Sequence, residues 1–194
     1  MAVSLPVLNK IQNKELSLIN YKLTSGICAG IGNACKAQPK LIQSIILIDN
    51  GCSDSDFSKL LSGLVDLEHC KTIIYKMNIF SNLSLTALRP ILHKRRPCNL
   101  EELRIVQCRI NSAVTHDLIT ALTESSSLKR LGLVQVSFSN SSFSQLCDYI
   151  RDARSLIDLD LSYNELRPLQ MFKLLEVISK DRKIINLDLS WNMI

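Results

Sequence analysis

The sequence has few aromatic residues and no long apolar run. Phe, Trp and Tyr make up 5% of the 194 residues, although hydrophobic residues make up 46%. No segment approaches the roughly 20 consecutive apolar residues that a membrane-spanning helix requires. The first residues, MAVSLPVLNKIQNKELSLI, also lack the charged region and apolar run of a secretory signal. We therefore expect a core of aliphatic side chains and no membrane partner.

The sequence contains no pattern typical of catalysis or metal binding. Three histidines, His69, His93 and His116, fall at unrelated places, and the adjacent His69 and Cys70 have no second ligand at zinc spacing. The glycine-rich stretch SGICAGIG is not followed by the lysine and hydroxyl residue of a phosphate-binding loop. No Gly-x-Ser-x-Gly nucleophile motif occurs. We expect no enzymatic activity, no cofactor, no metal and no small-molecule substrate.

Positive charge is modest and is not spread over a surface. The net charge is +5, and cations concentrate in HKRR at residues 93–96. A nucleic-acid site would need basic residues spread over one face with interleaved aromatic residues. The cluster is instead expected to be solvated at a helix C-terminus. We expect no nucleic-acid partner.

The cysteines do not form a pattern typical of disulfides. Their number, seven, is odd, and most coincide with apolar positions of the repeat described below, where a reduced thiol acts as a small hydrophobe. Cys98 and Cys147 fit these positions less well. This usage favours a reducing, intracellular compartment. We expect a cytoplasmic location, with a cytoskeletal or ciliary setting as the narrower hypothesis.

An eleven-residue motif recurs seven times along the chain. In LIDLDLSYNEL, which begins at Leu156, motif positions 1, 4, 6 and 11 are leucines and position 9 is Asn164. The motif begins near residues 13, 42, 70, 100, 128, 156 and 184, so that consecutive starts are 28 to 30 residues apart. The seventh motif runs to Ile194 with no helix after it to cover Leu187 and Leu189. We therefore expect an incomplete last unit that further repeats continue or a neighbouring chain seals.

Each motif is followed by apolar residues at helical spacing. The eighth and twelfth residues after the motif are apolar in all six intervals, and together with the fifth they lie on one helix face. Each unit is thus predicted to be strand, turn, buried helix and loop. Pro90 should shorten or kink the third helix, and Pro168 suits the first turn of the sixth. The glycines of SGICAGIG should let the first helix pack closely.

The motif L-x-x-L-x-L-x-x-N/C-x-L resembles the leucine-rich repeat. Its spacing resembles the ribonuclease-inhibitor-like subclass, in which a helix leads back to the next strand. The resemblance covers nearly the whole chain. It implies an α/β solenoid curved like a horseshoe, with about seven repeats, a parallel sheet on the concave face and helices on the convex face. Residues 13–194 would form the repeats, and residues 1–12 a short N-terminal cap through the apolar Val3, Val7, Leu8 and Ile11.

The asparagine at motif position 9 has an expected structural role. The turn from strand to helix leaves backbone donors and acceptors inside the stack without a sheet partner, which is costly. An amide side chain both donates and accepts. Cys108 is an accepted substitute, whereas Tyr21 and Val136 should mark weaker turns. The side chains expected to bridge successive turns are those of Asn50, Asn78, Asn164 and Asn192.

The candidate functional residues stand at motif positions 3, 5, 7 and 8, which should point away from the helices. Exposed aliphatic residues on an open sheet favour a protein partner, and aromatic residues beside carboxylates suit protein recognition. The alternatives are that β-branched residues merely favour strands and that Trp191 packs against a following unit. The candidate partner-binding residues are Ile46, Ile48, Ile74, Val106, Val134, Asp158, Asp160, Tyr163, Asp188 and Trp191.

These observations predict a non-catalytic scaffold for protein–protein interactions, a subunit or segment of a larger intracellular assembly such as a ciliary axonemal or cytoskeletal complex. Protein partners are expected on the concave face and at the uncapped C-terminal end. The alternative is a GTPase activator resembling the Ran-activating leucine-rich repeat family, since such proteins act on a partner's site. The long acidic tail of that family has no counterpart here.

Overall fold

Strands and helices alternate throughout the computed structural model, which describes residues 11–38, 40, 42–65, 67–93, 100–181 and 183–193. The strands are β1 Ile11–Gln12, β2 Glu15–Ile19, β3 Ser44–Ile48, β4 Thr72–Lys76, β5 Glu102–Val106, β6 Arg130–Val134, β7 Asp158–Asp160 and β8 Asn186–Asp188. The helices are α1 Ser25–Ala37, α2 Asp54–Leu64, α3 Asn82–Leu92, α4 Ser112–Leu122, α5 Asn140–Asp152 and α6 Pro168–Asp181. The predictions for Val3, Val7, Leu8, residues 94–96, Cys98 and Ile194 fall outside the described residues.

One sheet runs through the molecule in the order of the sequence. Strands β2 to β8 are parallel, and each pairs with the next so that equal motif positions lie side by side. Strands stack about 4.8 Å apart, whereas helices are about 10 Å across and need more room. The chain is therefore an α/β solenoid, an arc with the parallel sheet on its concave side, as the repeat predicted.

The first strand departs from the predicted scheme. Residues Ile11 and Gln12 pair with β2 in antiparallel orientation, and the two strands are joined by Asn13 and Lys14. These two residues have φ angles of 52° and 65°, as a tight two-residue hairpin turn requires. Asn13 therefore lies in an exposed turn, whereas the equivalent first motif positions of the second to sixth units are buried. Ile11 extends the sheet edge as a strand residue.

The core lies between the sheet and the helices. Motif positions 4 and 6 are buried in the first six units, and the apolar face of each helix covers them. Thr115 is the fifth residue after its motif, a place that is apolar in the other units. It is nevertheless fully buried, and its hydroxyl donates to the Asn111 carbonyl. Among the glycines of SGICAGIG, Gly32 makes the predicted close contact, because a Cβ on Gly63 of α2 would overlap its backbone. A Cβ added to Gly30 would meet no atom within 4 Å.

The two helix prolines behave differently. Pro168 is the first residue of α6, as predicted. Pro90 lies inside α3, which continues to Leu92 and has 11 residues, the same length as α2 and α4. The helix ends two residues after Pro90, and it has two or three residues fewer than α1, α5 and α6. That Pro90 shortens or kinks its helix stays a prediction. Pro90 stands in the last turn, where its missing N–H removes a single backbone hydrogen bond.

The predicted asparagine bridges are present. The Asn164 amide donates to the carbonyls of Leu133 and Leu161, at 2.6 and 3.0 Å, and its oxygen accepts from the Val136 N–H at 2.7 Å. Asn78 and Asn192 likewise accept from the backbone N–H of position 9 in the preceding unit. Each of these asparagines thus ties its turn to the turn of the preceding unit from inside the stack.

The bridge is weaker where Tyr21 replaces asparagine. The Asn50 amide donates to the carbonyls of Leu18 and Tyr21, but its oxygen is buried without a hydrogen-bond partner. In Asn78, Asn164 and Asn192, the same oxygen accepts from the N–H of position 9 in the preceding unit. At Cys108 the thiol donates to the Tyr75 carbonyl at 3.4 Å. Sulfur thus makes one of the contacts that the amide makes elsewhere.

A second link between units involves Asp54, the first residue of α2. Its carboxylate accepts hydrogen bonds from the Ser81 and Leu83 N–H groups, and from the N–H and hydroxyl of Ser84, at the start of α3. Ser81, the N-cap residue of α3, makes no capping hydrogen bond with its own side chain. Asp54 therefore caps the helix of the following unit.

Asp54→Ala is expected to lower the free energy of unfolding by roughly 1 kcal/mol at neutral pH, the usual contribution of a helix cap. Burial raises the pKa of Asp54, but the hydrogen bonds from Ser81 and Ser84 outweigh it and lower the pKa overall. A lowered folded-state pKa contributes stability that is present above the unfolded value, about 3.9 for Asp, and is lost as the pH falls through the folded value.

The test is denaturant unfolding of wild type and Asp54→Ala between neutral pH and about pH 3, which spans the titration of an Asp. The difference between the two proteins should shrink as Asp54 is protonated. A difference that stays constant over this range would contradict the capping role of the charged carboxylate.

Candidate functional site

Three rows of side chains, at motif positions 3, 5 and 7, form the concave face of the sheet. In the position 5 row, Ile46 lies beside Ile74. In the position 7 row, Ile48 lies between Ile19 and Lys76. We call the half-buried Ile46, Ile48, Ile74 and Val106, together with Ile19, the aliphatic patch.

Ile19 was missed as a candidate. Its side chain is 57% exposed, more than any other apolar side chain in these rows. It occupies the same motif position as Ile48 and pairs with it, which is the signal that could have identified it.

Val134 does not belong to the exposed patch. Its side chain is 6% exposed, so the prediction that it offers a contact surface is wrong. Val134 lies beside Val106 of β5. On the other side of its strand is β7, which carries Asp160. On a concave face, side chains of neighbouring strands crowd together, and a short side chain in the middle of the arc is covered by its neighbours.

Arg104 divides the concave face between the aliphatic patch and the acidic residues. Its guanidinium contacts Glu102 at 2.7 Å, Asp158 at 3.2 Å and Asp160 at 3.5 Å. The two aspartates lie two strands away, so the side chain must cross Gly132, which pairs with both Arg104 and Asp160. A Cβ at Gly132 would lie 3.0 Å from Cγ of Arg104. Glycine at this position therefore gives Arg104 its path across the strand.

The ion pairs of Arg104 with Glu102, Asp158 and Asp160 form what we call the Arg104 network. They neutralise carboxylates that the sequence alone would leave unpaired on this half of the face. Burial raises the pKa of Glu102, but hydrogen bonds from Arg104 and Arg130 outweigh it and lower the pKa overall. Asp158 and Asp160, two of the candidate partner-binding residues, already form ion pairs with this guanidinium. Asp188 is exposed, and hydrogen bonds from the Ser190 hydroxyl and N–H lower its pKa.

The structure brings Tyr163 and Trp191 together at the carboxyl edge of the sheet. Their rings stack with centroids 5.4 Å apart and an interplanar angle of 13°. Tyr163 is 44% and Trp191 72% exposed, so Trp191 packs on its neighbour and is otherwise open. Both side chains point away from the core, as predicted.

Both aromatic residues have left-handed backbone angles, with φ of 59° and 58°. Motif position 8 has a positive φ in all seven units. In the five units before Tyr163, the residue at this position is Asn, Asp, Met or Gln. At Tyr163, the backbone N–H donates to the Ser190 carbonyl of the next unit at 3.0 Å. This conformation is unfavourable for a bulky side chain, so the stacked pair is not explained by turn preference.

A groove of about 540 Å³ lies beside the stacked pair. Its walls are turn residues of the last three units, and among them are Gln135, Tyr163, Glu165, Arg167 and Met193. Its lining is mixed in charge and contains Tyr163 of the aromatic pair. The groove therefore extends the surface available to a partner beyond the concave face.

The described part of the chain offers neither a metal site nor a membrane-spanning helix. Within it, no His, Cys, Asp and Glu side chains cluster so as to hold a metal ion. None of its helices is long and apolar enough to cross a membrane.

Several apolar residues of the last units are exposed. Leu187 on β8 is 37% exposed, and on α6 Leu169 is 85% and Phe172 72% exposed. Leu189 is partly buried against the core.

No family model matches the sequence, and no curated protein matches it. Among solved structures, the chain is similar to the tropomodulin C-terminal domain of Caenorhabditis elegans, with a TM-score of 0.51 and 10% sequence identity over 87% of this chain and 84% of that one. It is also similar to a structure described as Leiomodin-1 Actin-Binding Site 2, with a TM-score of 0.48 and 13% identity over 94% and 91% of the two chains. At 10% identity, the likeness to the tropomodulin domain is one of fold: an α/β solenoid of the leucine-rich repeat type.

Proposed function

We propose that the chain is a non-catalytic protein-interaction module, a subunit or segment of a larger intracellular assembly, and that it binds a protein partner on its concave face. The observation that carries the proposal is the aliphatic patch. Ile46 and Ile74 are side by side and half-buried, and Ile19 is exposed at the patch edge. Apolar patches rimmed by polar residues are typical of surfaces that a partner covers.

The preference of β-branched residues for strands does not account for the patch. In the later strands of the same sheet, the position 5 row contains Gly132, Asp160 and Asp188. The strands therefore form without isoleucine in this row. Because the aliphatic residues gather in the first strands and the Arg104 network follows them, the face has an apolar half and a charged half. Such a division favours one partner bound in one orientation.

The Tyr163 and Trp191 pair is proposed as a second part of the contact surface. Aromatic side chains contribute a large share of the binding energy in many protein interfaces. These two rings are already stacked on each other, so that little side-chain freedom remains to be lost when a partner binds. The exposed residues of the last units, Leu187 among them, are proposed as a further contact.

The narrower parts of the proposal rest on the sequence. The spacing of 28 to 30 residues supports the ribonuclease-inhibitor-like subclass. A cytoskeletal assembly, and within that class a ciliary axoneme, is proposed as the setting because the sequence has few aromatic residues and no nucleotide-binding motif. Nothing in the comparisons supports the GTPase-activating alternative.

The test is affinity purification with wild type and with the double variant Ile46→Lys, Ile74→Glu. The two residues are register partners, so opposite charges avoid the repulsion that two like charges would cause in neighbouring strands. The double variant should lose at least about tenfold in partner recovery, since burying charges in an apolar contact is costly. Co-sedimentation of wild type with actin filaments and with microtubules tests the cytoskeletal setting separately.

Leu83→Glu is the matched control, because Leu83 is an exposed leucine on α3, 55% exposed, away from the concave face. It should leave partner recovery unchanged. Equal recovery with wild type and with the double variant, both folded by circular dichroism, would remove the aliphatic patch as the binding site.

A further inference from the structure

Two buried thiols lie in contact between the first and second units. The Sγ atoms of Cys28 and Cys52 are 3.8 Å apart and share a hydrogen bond. Cys28 is in the first turns of α1, and Cys52 directly precedes Ser53, the N-cap residue of α2. Their side chains are 0% and 1% exposed. Nothing in the proposed binding function requires this pair.

The pairing follows from the repeat. Cys28 is the fifth residue after its motif, and Cys52 is the last position of the next motif. In the other units these two places hold larger residues, such as Phe57 and Phe80. Only in this interval do cysteines occupy both. The fold therefore places two thiols against each other at the places that Phe57 and Phe80 occupy in the next interval.

We propose that Cys28 and Cys52 are a modification site, at which a peroxide converts the two thiols into an internal disulfide. The Cys28 thiol releases its proton, the thiolate attacks one peroxide oxygen and the O–O bond breaks. Cys28 becomes a sulfenic acid, and the leaving hydroxide takes up the released proton to give the first water. The Cys52 thiol then attacks the Cys28 sulfur, the S–O bond breaks, and the hydroxyl leaves as a second water with the Cys52 proton. The two thiols are oxidised by two electrons, and one hydrogen peroxide is reduced to two waters.

The two sulfurs already lie in contact. A disulfide bond is about 2.05 Å long, so the sulfurs, which are 3.8 Å apart, must move closer for the bond to form. Hydrogen peroxide is close to water in size, and the pair lies at the ends of two helices, where local opening is easiest. A larger oxidant would need the units to separate.

Hydrogen bonding distinguishes Cys28 from the other buried thiols. The hydrogen bond with Cys52 outweighs burial and lowers the pKa of Cys28. Burial instead raises the pKa of Cys35 to about 12, and those of Cys108 and Cys147 to about 11. The thiolate is the reactive species. Oxidation should therefore begin at Cys28 and end in the bond to Cys52.

The bond would fasten the first helix to the turn before the second. It would close a loop between residues 24 positions apart, and such a cross-link disfavours the unfolded chain. Both thiols lie on the helix side of the sheet, away from the aliphatic patch. Oxidation is thus expected to raise the melting temperature without changing partner recovery.

The experiment treats the reduced protein with hydrogen peroxide, blocks remaining thiols under denaturing conditions and maps tryptic peptides. Cys28 and Cys35 share the peptide 23–36, whereas Cys52 is the only cysteine of the peptide 41–59. The mapping is therefore done in the Cys35→Ala variant. The expected product is a linked pair of these two peptides that lacks two hydrogen atoms and separates on reduction.

Cys28→Ala, with Cys35 retained, is the matched control and should give no link between these peptides. A link that persists in Cys28→Ala, or one formed only after denaturation, would overturn the proposal. So would oxidation of Cys28 to higher acids without any link to Cys52. Circular dichroism of each variant before treatment shows that the comparison is made between folded proteins.

Discussion

Gly63→Ala is expected to lower the free energy of unfolding by about 3 kcal/mol, the upper end of the usual cost of overpacking a core. A Cβ at Gly63 would overlap the Cα, carbonyl carbon and oxygen of Gly32. These are backbone atoms and cannot rotate away. Helices α1 and α2 would have to separate, and the buried apolar side chains of both helices would pack less tightly.

Gly30→Ala is the control and should have the opposite sign. Gly30 lies in the same helix as Gly32, and its Cβ would meet nothing within 4 Å. Alanine in a helix interior is more stable than glycine by about 0.5 to 1 kcal/mol. Denaturant unfolding of both variants measures the pair. Equal effects at the two positions would show that α1 and α2 do not touch at Gly32 and Gly63.

Asn164→Ala is expected to lower the free energy of unfolding by about 1 to 3 kcal/mol, the cost of leaving buried hydrogen-bonding groups unpaired. Alanine would leave the carbonyls of Leu133 and Leu161 and the N–H of Val136 without the amide. Water does not reach this position readily, since Asn164 is 8% exposed. Denaturant unfolding midpoints and slopes give the change directly.

Asn33→Ala is the matched control for the asparagine bridge, because Asn33 is exposed on α1. Substitutions at such surface positions usually change stability by less than about 0.5 kcal/mol. If Asn164→Ala also stayed within that range, the asparagines would not be holding the turns together.

The strands, the helices and the asparagine bridges could be predicted because each depends on a local period. Alternation buries motif positions 4 and 6, the helical spacing buries one helix face, and position 9 meets the same turn in each unit. The hairpin at Asn13 and Lys14 could not be predicted in this way. It lies outside the repeat, and the seven-unit register assigned Asn13 to a strand motif that it does not join.

The candidate site was only partly predictable, because its chemistry depends on contacts between units. The position 5 row predicted that Ile46 and Ile74 are neighbours. It did not predict that Arg104 reaches Asp158 and Asp160 across Gly132. The repeat gives the place of a residue on the sheet but not the direction in which a long side chain extends. The cap that Asp54 provides for α3 was missed for the same reason.

A protein partner is proposed to bind the concave face of the arc, and photo-crosslinking tests this directly. The direct measurement places a photo-reactive amino acid at Ile48, on that face, or at Asp117, exposed on α4, and irradiates the protein with a lysate of its native source. A discrete covalent adduct of one additional protein at position 48, absent at position 117, is the predicted result. Adducts at position 117 with none at position 48 would place the partner on the helices and contradict the account.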